Sequence, residues 1–315
     1  MTHFHRILIT GARGFLGRHI VPVLEQESGA EVIAVGRADY DLLVPGAAAA
    51  MLRDTDPDAV LHLAAKVAGI IANRNYPADF YYENSLINLM TFQACFEHGV
   101  KKFMTFMGGC SYPAHATSPI GEDQMWNGMP QPESAPYSTA KKMSLIQSEA
   151  YRRQHGFNSV VLIPGNVYGE YDNFNEEYSH VIPALIRRFI EAQEAGLPEV
   201  ACYGSGRPTR DFVYAGDVAR LIPWFFEHYD SSEPINLSSG TRTSIRELSE
   251  TIAEVTGYKG RLTWDTTKPD GQLDKIFDVT RLRALGLSCD TSLREGVQRT
   301  ADWFREARKS RDVRV

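Results

Sequence analysis

A tyrosine and a lysine four residues apart could carry acid–base chemistry in this chain. Tyr137 and Lys141 stand in the run Tyr-Ser-Thr-Ala-Lys-Lys-Met-Ser-Leu-Ile-Gln, whose spacing predicts a helix. Side chains at positions i and i+4 lie over each other on one helix face. A phenol ordinarily has a pKa of about 10, and we expect the neighbouring ammonium to lower it. Such a pair could donate or accept a proton at a carbinol oxygen, although the same spacing also occurs on ordinary surface helices.

A glycine-rich loop near the N-terminus predicts a binding site for a dinucleotide. Gly11, Gly14 and Gly17 follow the apolar run 6–11, a predicted buried strand, and precede a helical pattern that begins at Arg18. The first two glycines permit a tight turn and close approach to a pyrophosphate, and the third permits close packing of helix against strand. The first N–H groups of the helix can then bind the anion. An ordinary turn between a strand and a helix is the alternative interpretation.

The residues after the second predicted strand, 31–36, bear on which dinucleotide binds. Proteins that bind NAD usually place an acidic residue there to hold the ribose diol. Here Arg37 follows the strand, and its guanidinium could pair with a 2′-phosphate together with Arg13 of the glycine loop. Arg37 could also be a solvated loop charge, and Asp39 and Asp41 are close in the sequence. We predict NADP(H) in preference to NAD(H).

Strands and helices alternate along the first half of the chain, which predicts an α/β fold with a doubly wound parallel sheet of the Rossmann type. Residues 1–165 are predicted to form an NADP(H)-binding domain, to which segments around 212–240 return. Residues 166–315 are predicted to form mainly a smaller C-terminal α/β lobe that binds the substrate. Ligands of such sheets bind at the carboxyl ends of the strands. The buried strands of the sheet are predicted at 6–11, 31–36, 58–65, 102–107 and 159–164, with a helix at 84–98.

Composition and charge exclude several classes of protein. The 315 residues are 43% hydrophobic and carry a net charge of −6, with a pI near 5.9, which predicts no surface for nucleic acid. No apolar run approaches the length of about 18 residues that a membrane helix needs. The first residues enter a strand at once, so we expect no signal peptide. The four cysteines have neither metal-ligand spacing nor a disulfide pattern, so we expect no metal and a cytoplasmic protein.

Several stretches of the chain occur together in one group of enzymes. The glycine loop, the run 58–65 and the pair Tyr137 and Lys141 resemble the extended short-chain dehydrogenase/reductases. Within that superfamily the chain is most similar to the GDP-L-fucose synthase family, from Arg6 to Phe304. The stretches that carry this closer resemblance are Lys66-Val-Ala-Gly-Ile with Asn73, Tyr76-Pro-Ala-Asp-Phe80, Cys110-Ser-Tyr-Pro, Pro136-Tyr-Ser, Tyr168-Gly169, Asp172-Asn-Phe-Asn, Ser179-His180-Val-Ile-Pro-Ala-Leu-Ile-Arg-Arg-Phe, Tyr203-Gly-Ser-Gly and Lys268-Pro-Asp-Gly.

The resemblance implies an enzyme that uses NADPH and a nucleotide sugar. Members of the family epimerise C3 and C5 of GDP-4-keto-6-deoxy-mannose and then reduce the C4 ketone, and they are homodimers through helices of the large domain. The resemblance makes Tyr137 the proton donor at C4 and Lys141 its partner on the nicotinamide ribose. It makes Cys110 and His180 the base and acid of the epimerisation, and both side-chain types titrate near neutrality when tuned. Judged by residue type alone, Cys110 could equally fill the core and His180 could be a solvated loop residue.

The resemblance also implies which residues bind the two ligands. Arg13 and Arg37 fall on the positions that hold the 2′-phosphate. Substrate contacts fall on or near Asn166, Arg188, Tyr203, Arg210 and Lys268. The complete cofactor-binding set consists of Gly11, Arg13, Gly14, Phe15, Leu16, Gly17, Arg37, Ala64, Lys141, Pro164, Asn166, Val167 and His180.

The chain departs from the family pattern at three places. Gly108, followed by Gly109, replaces the Ser or Thr that hydrogen-bonds the C4 oxygen; Gly165 replaces a hydroxyl residue; Glu170-Tyr171 replaces Pro-His. A glycine at 108 could also be required by a backbone φ above zero. Three functions are therefore open: epimerisation with reduction, epimerisation with reduction lost or slow, and a nucleotide-bound regulatory subunit with a weakened catalytic site.

Overall fold

A parallel sheet of six strands dominates the computed structural model, which describes residues 4–175, 178–268, 270–310 and 313. The strands are β1 (Arg6–Thr10), β2 (Glu31–Val35), β3 (Ala59–His62), β4 (Lys102–Phe106), β5 (Ser159–Pro164), β6 (Asn166–Tyr168), β7 (Glu199–Tyr203), β8 (Thr209–Arg210), β9 (Phe212–Tyr214), β10 (Ile235–Leu237), β11 (Thr243–Ser244), β12 (Arg261–Asp265) and β13 (Asp274–Lys275). The order across the large sheet is β10-β5-β4-β3-β1-β2. The strand order reverses between β1 and β3, and the crevice beyond their carboxyl ends is where such sheets bind ligands.

Helices cover both faces of this sheet. They are α1 (Phe15–Glu27), α2 (Ala47–Thr55), α3 (Ile70–Asn75), α4 (Pro77–His98), α5 (Ala135–His155), α6 (Val181–Glu194), α7 (Ala215–His228), α8 (Ile245–Thr256), α9 (Thr280–Ala284) and α10 (Leu293–Ser310). Successive side chains of β1 alternate between the faces: Ile7 and Ile9 pack with α1 and α7, and Leu8 packs with α2 and α4. Both faces are apolar because both are covered, and the predicted α/β Rossmann-type fold is confirmed.

The second half of the chain is divided between the sheet and a smaller lobe. In the lobe, α6, α8 and α10 pack around the parallel pair β7 and β12, with Phe189, Ile252 and Phe304 buried among them. The segment from β9 to β10 lies against the large sheet instead, because α7 packs on α1 and β10 pairs with β5.

One helix is longer than the sequence pattern predicts. The apolar stripe predicts a helix over 84–98, whereas α4 begins seven residues earlier, at Pro77. Proline is favoured in the first turn of a helix because its missing N–H would have no partner there. Among the helices of the described residues, none is both long and apolar enough to cross a membrane.

Candidate active site

The first turn of α5 presents the predicted tyrosine and lysine. The helix starts at Ala135, with Pro136 in its first turn, so Tyr137 and Lys141 stand one turn apart near its N-terminus. The ring of Phe80 on α4 meets the ring of Tyr137 edge-on, at 6.2 Å between centroids. Lys141 is only 4% exposed. The neighbouring helix therefore holds the phenol in place while the lysine lies beneath it in the protein.

The turn after β4 brings the predicted cysteine to the same place. Gly108 is extended, with φ −116° and ψ 145°, and a single 3-10 turn follows, in which the N–H of Ser111 donates to the carbonyl of Gly108 at 2.9 Å. A Cβ atom built on Gly108 would lie 3.1 Å from Cys110 Sγ and 3.9 Å from the Tyr137 hydroxyl oxygen. The thiol and the phenol therefore both border the space that the glycine leaves open. The alternative that Gly108 is needed for a positive φ is wrong.

The protonation of this pair differs from the sequence-based expectation. Burial raises the pKa of Tyr137, and the nearby Cys110 raises it further. Burial lowers the pKa of Lys141 to about 8, against an opposing effect of Cys110. The lowered phenol pKa expected from the spacing is therefore not found, because desolvation of the buried phenol favours its neutral form. A phenol that keeps its proton at neutral pH is suited to donating it.

A buried histidine that the sequence analysis did not select lies close to Lys141. His62, the last residue of β3, has its Nδ1 atom 2.8 Å from Thr10 Oγ1 on β1. Burial first, and the charge of Lys141 second, lower the pKa of His62 to about 3. The imidazole is therefore neutral and helps to order the strand ends beneath Lys141. The available signal was a polar residue inside the apolar run of the predicted strand 58–65.

The glycine loop has the geometry of a phosphate-binding turn. Gly11 has φ +68°, and a Cβ there would lie 2.8 Å from the backbone nitrogen of Ala64. A Cβ on Gly17 would lie 2.4 Å from the carbonyl of Ala12, so α1 can approach β1 only with glycine there. No side chain caps α1 at Gly14, so its first-turn N–H groups are available to an anion. Phe15 and Leu16 begin α1.

Two arginines lie at the end of β2, beside the glycine loop. An Arg13 Nη atom is 3.0 Å from Asp39 Oδ1, and both Nε and one Nη of Arg37 are 3.1 Å from Asp41 Oδ2. Arg13 also passes over Gly36, since a Cβ there would lie 3.3 Å from its Cδ. The Arg13 and Arg37 side chains are 63% and 70% exposed, so their guanidinium groups can still reach a ligand phosphate. Together with the glycine loop, this arrangement fits an NADP(H) molecule.

The loop after β5 holds the remaining predicted cofactor residues. Pro164 ends β5, and Asn166 and Val167 open β6. The side-chain amide of Asn166 donates to the carbonyl of Asp211 at 2.8 Å, which fixes it beside β8. Asp211 itself is fully buried and accepts hydrogen bonds from the N–H groups of Ser239, Gly240 and Phe277. This carboxylate, which the sequence analysis missed, ties three loops together at the edge of the site.

Phe277 packs beside two glycines: Gly165, which is a departure from the family pattern, and Gly109, which follows the departure at Gly108. A Cβ on Gly109 would lie 2.4 Å from Phe277 Cζ, and a Cβ on Gly165 would lie 3.3 Å from Phe277 Cδ2. Gly165 is also blocked by the hydroxyl of Ser238, at 2.1 Å from such a Cβ. Both glycines therefore make room for the packing of neighbouring side chains. The third departure lies elsewhere, where Glu170 accepts a hydrogen bond from the Tyr214 hydroxyl at 2.8 Å.

The predicted substrate residues of the lobe gather around one exposed aromatic ring. Tyr203, 60% exposed, has the Arg188 guanidinium 4.9 Å and the Lys268 ammonium 5.9 Å from its ring centroid. Arg188 also donates to the carbonyl of Ala201 at 3.0 Å. Such a ring is suited to stacking on a nucleobase, and the flanking cations are suited to pairing with the phosphates of the same nucleotide. Arg210 is held separately, by hydrogen bonds to the carbonyls of Thr209 and Gln272.

His180 is the predicted catalytic residue that the structure does not bring into contact with the others. It is exposed and immediately precedes α6, on a loop whose Tyr178 carbonyl accepts a hydrogen bond from the Gly69 N–H. Within the described part of the chain, no hydrogen bond or ion pair is formed by its imidazole. No group of three or more metal-ligating side chains occurs among the described residues either.

Comparison with known proteins gives the site a family context. Residues 7–238 match the family model described as the NAD dependent epimerase/dehydratase family. The chain is 38% identical to GDP-L-fucose synthase 1 of Arabidopsis thaliana, over 95% of this chain and 93% of that protein. It is 39% identical to GDP-L-fucose synthase of Escherichia coli K12, over 96% of this chain and 97% of that protein.

A solved structure has the same fold over the full length. The GDP-L-fucose synthetase of Naegleria fowleri bound to NADP superposes with a TM-score of 0.89 at 29% identity, covering 100% of this chain and 98% of that one.

Proposed function

We propose that this chain, which belongs to the NAD dependent epimerase/dehydratase family and within it to the GDP-L-fucose synthase family, is an NADPH-dependent epimerase and reductase of a 4-keto sugar linked to GDP. The cofactor is NADP(H). The observation that carries the proposal is the convergence of Cys110 and Tyr137 on the space beside Gly108. A thiol and a phenol placed this way can act on adjacent atoms of one sugar ring.

In the epimerisation, Cys110 as a thiolate removes the proton from a carbon beside the ketone. The electron pair of that C–H bond moves to the C4 oxygen, which becomes an enolate. His180, exposed at the start of α6, returns a proton to the opposite face of the same carbon. A base and an acid on separate loops are what inversion at a carbon requires.

In the reduction, NADPH supplies a hydride when it is bound. Tyr137 gives its proton to the C4 oxygen as negative charge develops there, and its raised pKa keeps that proton available at neutral pH. Lys141, one turn further along α5, supports this transfer by holding the nicotinamide ribose. Glycine at 108 adds no side-chain donor, so the C4 oxygen has one fewer donor than a serine at this position would provide.

The recognition residues favour a GDP-linked substrate, with GDP-4-keto-6-deoxy-mannose as the leading choice. Arg188, Tyr203 and Lys268 form one cationic, aromatic patch on the lobe. Arg210 is in register with Lys275, whose pKa responds to the charges of both Arg210 and Cys110. We propose that the patch holds the nucleotide and that Arg210 holds a phosphate.

Gly108 favours a second candidate, an epimerase in which reduction is lost or slow. A regulatory subunit without full activity is the third, and the presence of Tyr137, Lys141, Cys110 and His180 argues against it.

One experiment separates the three functions. Pure protein is mixed with NADPH and GDP-4-keto-6-deoxy-mannose in D₂O, and cofactor oxidation, sugar identity and deuterium incorporation are followed. Oxidation with a new sugar supports the leading function, and a new sugar without oxidation supports the epimerase. Neither oxidation nor a new sugar supports the regulatory subunit. The Cys110→Ser variant is expected to incorporate deuterium far more slowly than wild type at saturating substrate. Unchanged incorporation in both Cys110→Ser and His180→Asn would remove the epimerase assignment.

We also propose that the protein is a homodimer in the cytoplasm. Large apolar side chains are exposed on α4 and α5, which pack together. These side chains are Tyr82, Leu89, Met143 and Ile146. The four cysteines are free thiols, which fits a reducing compartment.

A further inference from the structure

A lysine of the lobe reaches the active site without an acidic partner. Lys275 is in β13, which runs parallel to β8 so that Lys275 lies in register with Arg210. The backbone N–H of Asp211 donates to the carbonyl of Lys275 at 3.2 Å, and the N–H of Phe277 donates to the Asp211 carboxylate at 3.2 Å. The backbone of this segment is therefore fixed to the floor of the site by the buried Asp211.

The direction of the Lys275 side chain follows from that of Phe277. Side chains two residues apart in an extended segment lie on the same side. The ring of Phe277 packs over Gly109, which directly precedes Cys110 in the turn. Lys275 therefore approaches the same turn, and its ammonium is close enough to Cys110 for the two charges to interact.

The surroundings of the Lys275 ammonium are cationic, apart from the thiol. Burial lowers the pKa of Lys275, the charge of Cys110 opposes this effect, and the charge of Arg210 adds to it. The adjacent carboxylate, Asp274, pairs with Arg242 at 3.1 Å instead. Across the described ranges, no hydrogen bond or ion pair is formed by the Lys275 side-chain nitrogen. The Lys275 side chain is half-buried, and a desolvated amine left without a partner is costly, which points to a functional role for it.

We propose that Lys275 is a positioning residue that stabilises Cys110 as the thiolate, the form that removes the proton beside the ketone. The groups near this thiol are Tyr137 and Lys141 from α5 and Lys275 from β13. Lys141 is a poor subject for a test because it belongs to the proposed cofactor site. In the proton transfer, the thiolate gains the substrate proton, the C–H electron pair moves to the C4 oxygen, and the ammonium of Lys275 keeps all its protons.

The catalytic consequence rests on the proposed function, but the effect on the thiol does not. The test therefore begins with the full-length protein without substrate. The rate of Cys110 alkylation by iodoacetamide is followed by peptide mass spectrometry across a neutral to alkaline pH series. The other three cysteines are buried, so the reaction at Cys110 can be read selectively.

Lys275→Met is expected to slow alkylation of Cys110 about ten-fold at neutral pH, because the thiolate fraction falls when a nearby cation is removed. The difference should vanish at alkaline pH, and Lys275→Arg should retain the wild-type rate. Lys142→Met is the matched control: Lys142 is a buried lysine whose ammonium lies 4.4 Å from the centre of the Trp126 ring. That control should leave the alkylation rate unchanged.

Deuterium incorporation into the keto-sugar provides the second readout. Lys275→Met should lower kcat for exchange by a factor similar to that for alkylation, with little change in KM. Alkylation of Lys275→Met at the wild-type rate would overturn the proposal, as would a change confined to KM, which would make Lys275 a substrate-binding residue. If wild-type protein exchanges no deuterium, the proposed function fails while the alkylation result still decides the role of Lys275.

Discussion

Gly108 occupies the most informative position in the site, because a side chain there would contact two reactive groups, the Cys110 thiol and the Tyr137 hydroxyl. The backbone there is ordinary extended chain, so glycine is not demanded by conformation. Neither is the space filled by a packed ring, as it is at Gly109 and Gly165. Neither conformation nor packing therefore explains the glycine, and the property to test is how the missing side chain affects the reaction.

We expect Gly108→Ser to raise the rate of C4 reduction of GDP-4-keto-6-deoxy-mannose at least several-fold. A preorganised donor to a developing oxyanion is typically worth about 10²–10³ in rate. The new Cβ would lie only 3.1 Å from Cys110 Sγ, so the thiol must move by a few tenths of an ångström and some of the gain is lost. NADPH oxidation in single turnovers measures the effect.

Gly108→Ala is the matched control for this substitution. It brings the same Cβ but no hydroxyl, so any effect it has on reduction reports crowding of Cys110 alone. Equal reduction rates in the serine and alanine variants, with unchanged melting temperatures, would mean that the glycine is fitted to a different substrate.

Arg37 is expected to select the phosphorylated cofactor. A charge-assisted hydrogen bond contributes about 1.5–3 kcal/mol, so Arg37→Ala should weaken NADPH binding roughly ten-fold or more. NADH binding should barely change, because NADH has no 2′-phosphate. Calorimetric titration of both cofactors measures this, with Arg53→Ala on α2 as the control. Equal loss of both cofactors would assign Arg37 a structural role.

Lys141 should make the protein less stable at neutral pH than a neutral side chain would. Its pKa falls from 10.5 to about 8 on folding, so the unfolded chain binds more protons between these values. The cost is therefore complete below about pH 8 and is relieved as the pH rises towards 10.5. We expect Lys141→Met to raise the free energy of unfolding at neutral pH by about 3 kcal/mol.

Melting curves across this pH range check the sign. The stabilisation of Lys141→Met should shrink as the pH rises above 8. The exposed Lys259→Met should show no such trend. A variant less stable than wild type at neutral pH would contradict the reasoning.

Among the secondary-structure elements, the contact between the turn after β4 and the segment of β13 holds the two halves of the site together. The Phe277 ring packs against Gly109 with its Cζ atom and lies near Gly165 with its Cδ2 atom. Because Gly109 directly precedes Cys110, the position of the thiol depends on a ring that comes from the lobe segment.

We expect Gly109→Ala to destabilise the protein by about 1–3 kcal/mol and to reduce the epimerisation rate, because its Cβ would lie 2.4 Å from Phe277 Cζ. Phe277→Leu should relieve part of this, so the double variant should lose less stability than the sum of the single ones. Gly128→Ala is the control, since its Cβ would meet Pro113 at an ordinary 3.4 Å. Strict additivity in chemical denaturation would show that the two residues do not contact each other.

For the whole molecule, the exposed apolar side chains of α4 and α5 determine the expected assembly. Leu89 on α4 is 55% exposed and is one of these side chains. Leu89→Glu should convert a dimer into a monomer, as measured by sedimentation, because a charge would be buried in the interface. Leu197, 49% exposed and outside α4 and α5, provides the control Leu197→Glu, which should stay dimeric. A wild-type monomer would contradict the expected dimer.

The local structure of the chain could be predicted from the sequence alone. Short apolar runs predicted five of the six strands of the large sheet. A strand that is buried on both faces of a sheet is a continuous apolar run in the sequence. The glycine loop could be predicted for a different local reason: its turn needs a residue that tolerates φ +68° at Gly11. The helix that carries Tyr137 and Lys141 was predicted correctly because helical spacing is a local property.

Contacts between distant parts of the chain could not be read in this way. Lys275 and Phe277 reach the Cys110 turn across more than a hundred and sixty residues, and no local pattern encodes that approach. The pKa of Tyr137 was predicted in the wrong direction, because spacing reveals a neighbouring cation but not the desolvation of a folded interior. The periodicity of the sequence fixes which residues form each element, whereas burial and the meeting of separate loops fix the charge and reach of the groups that react.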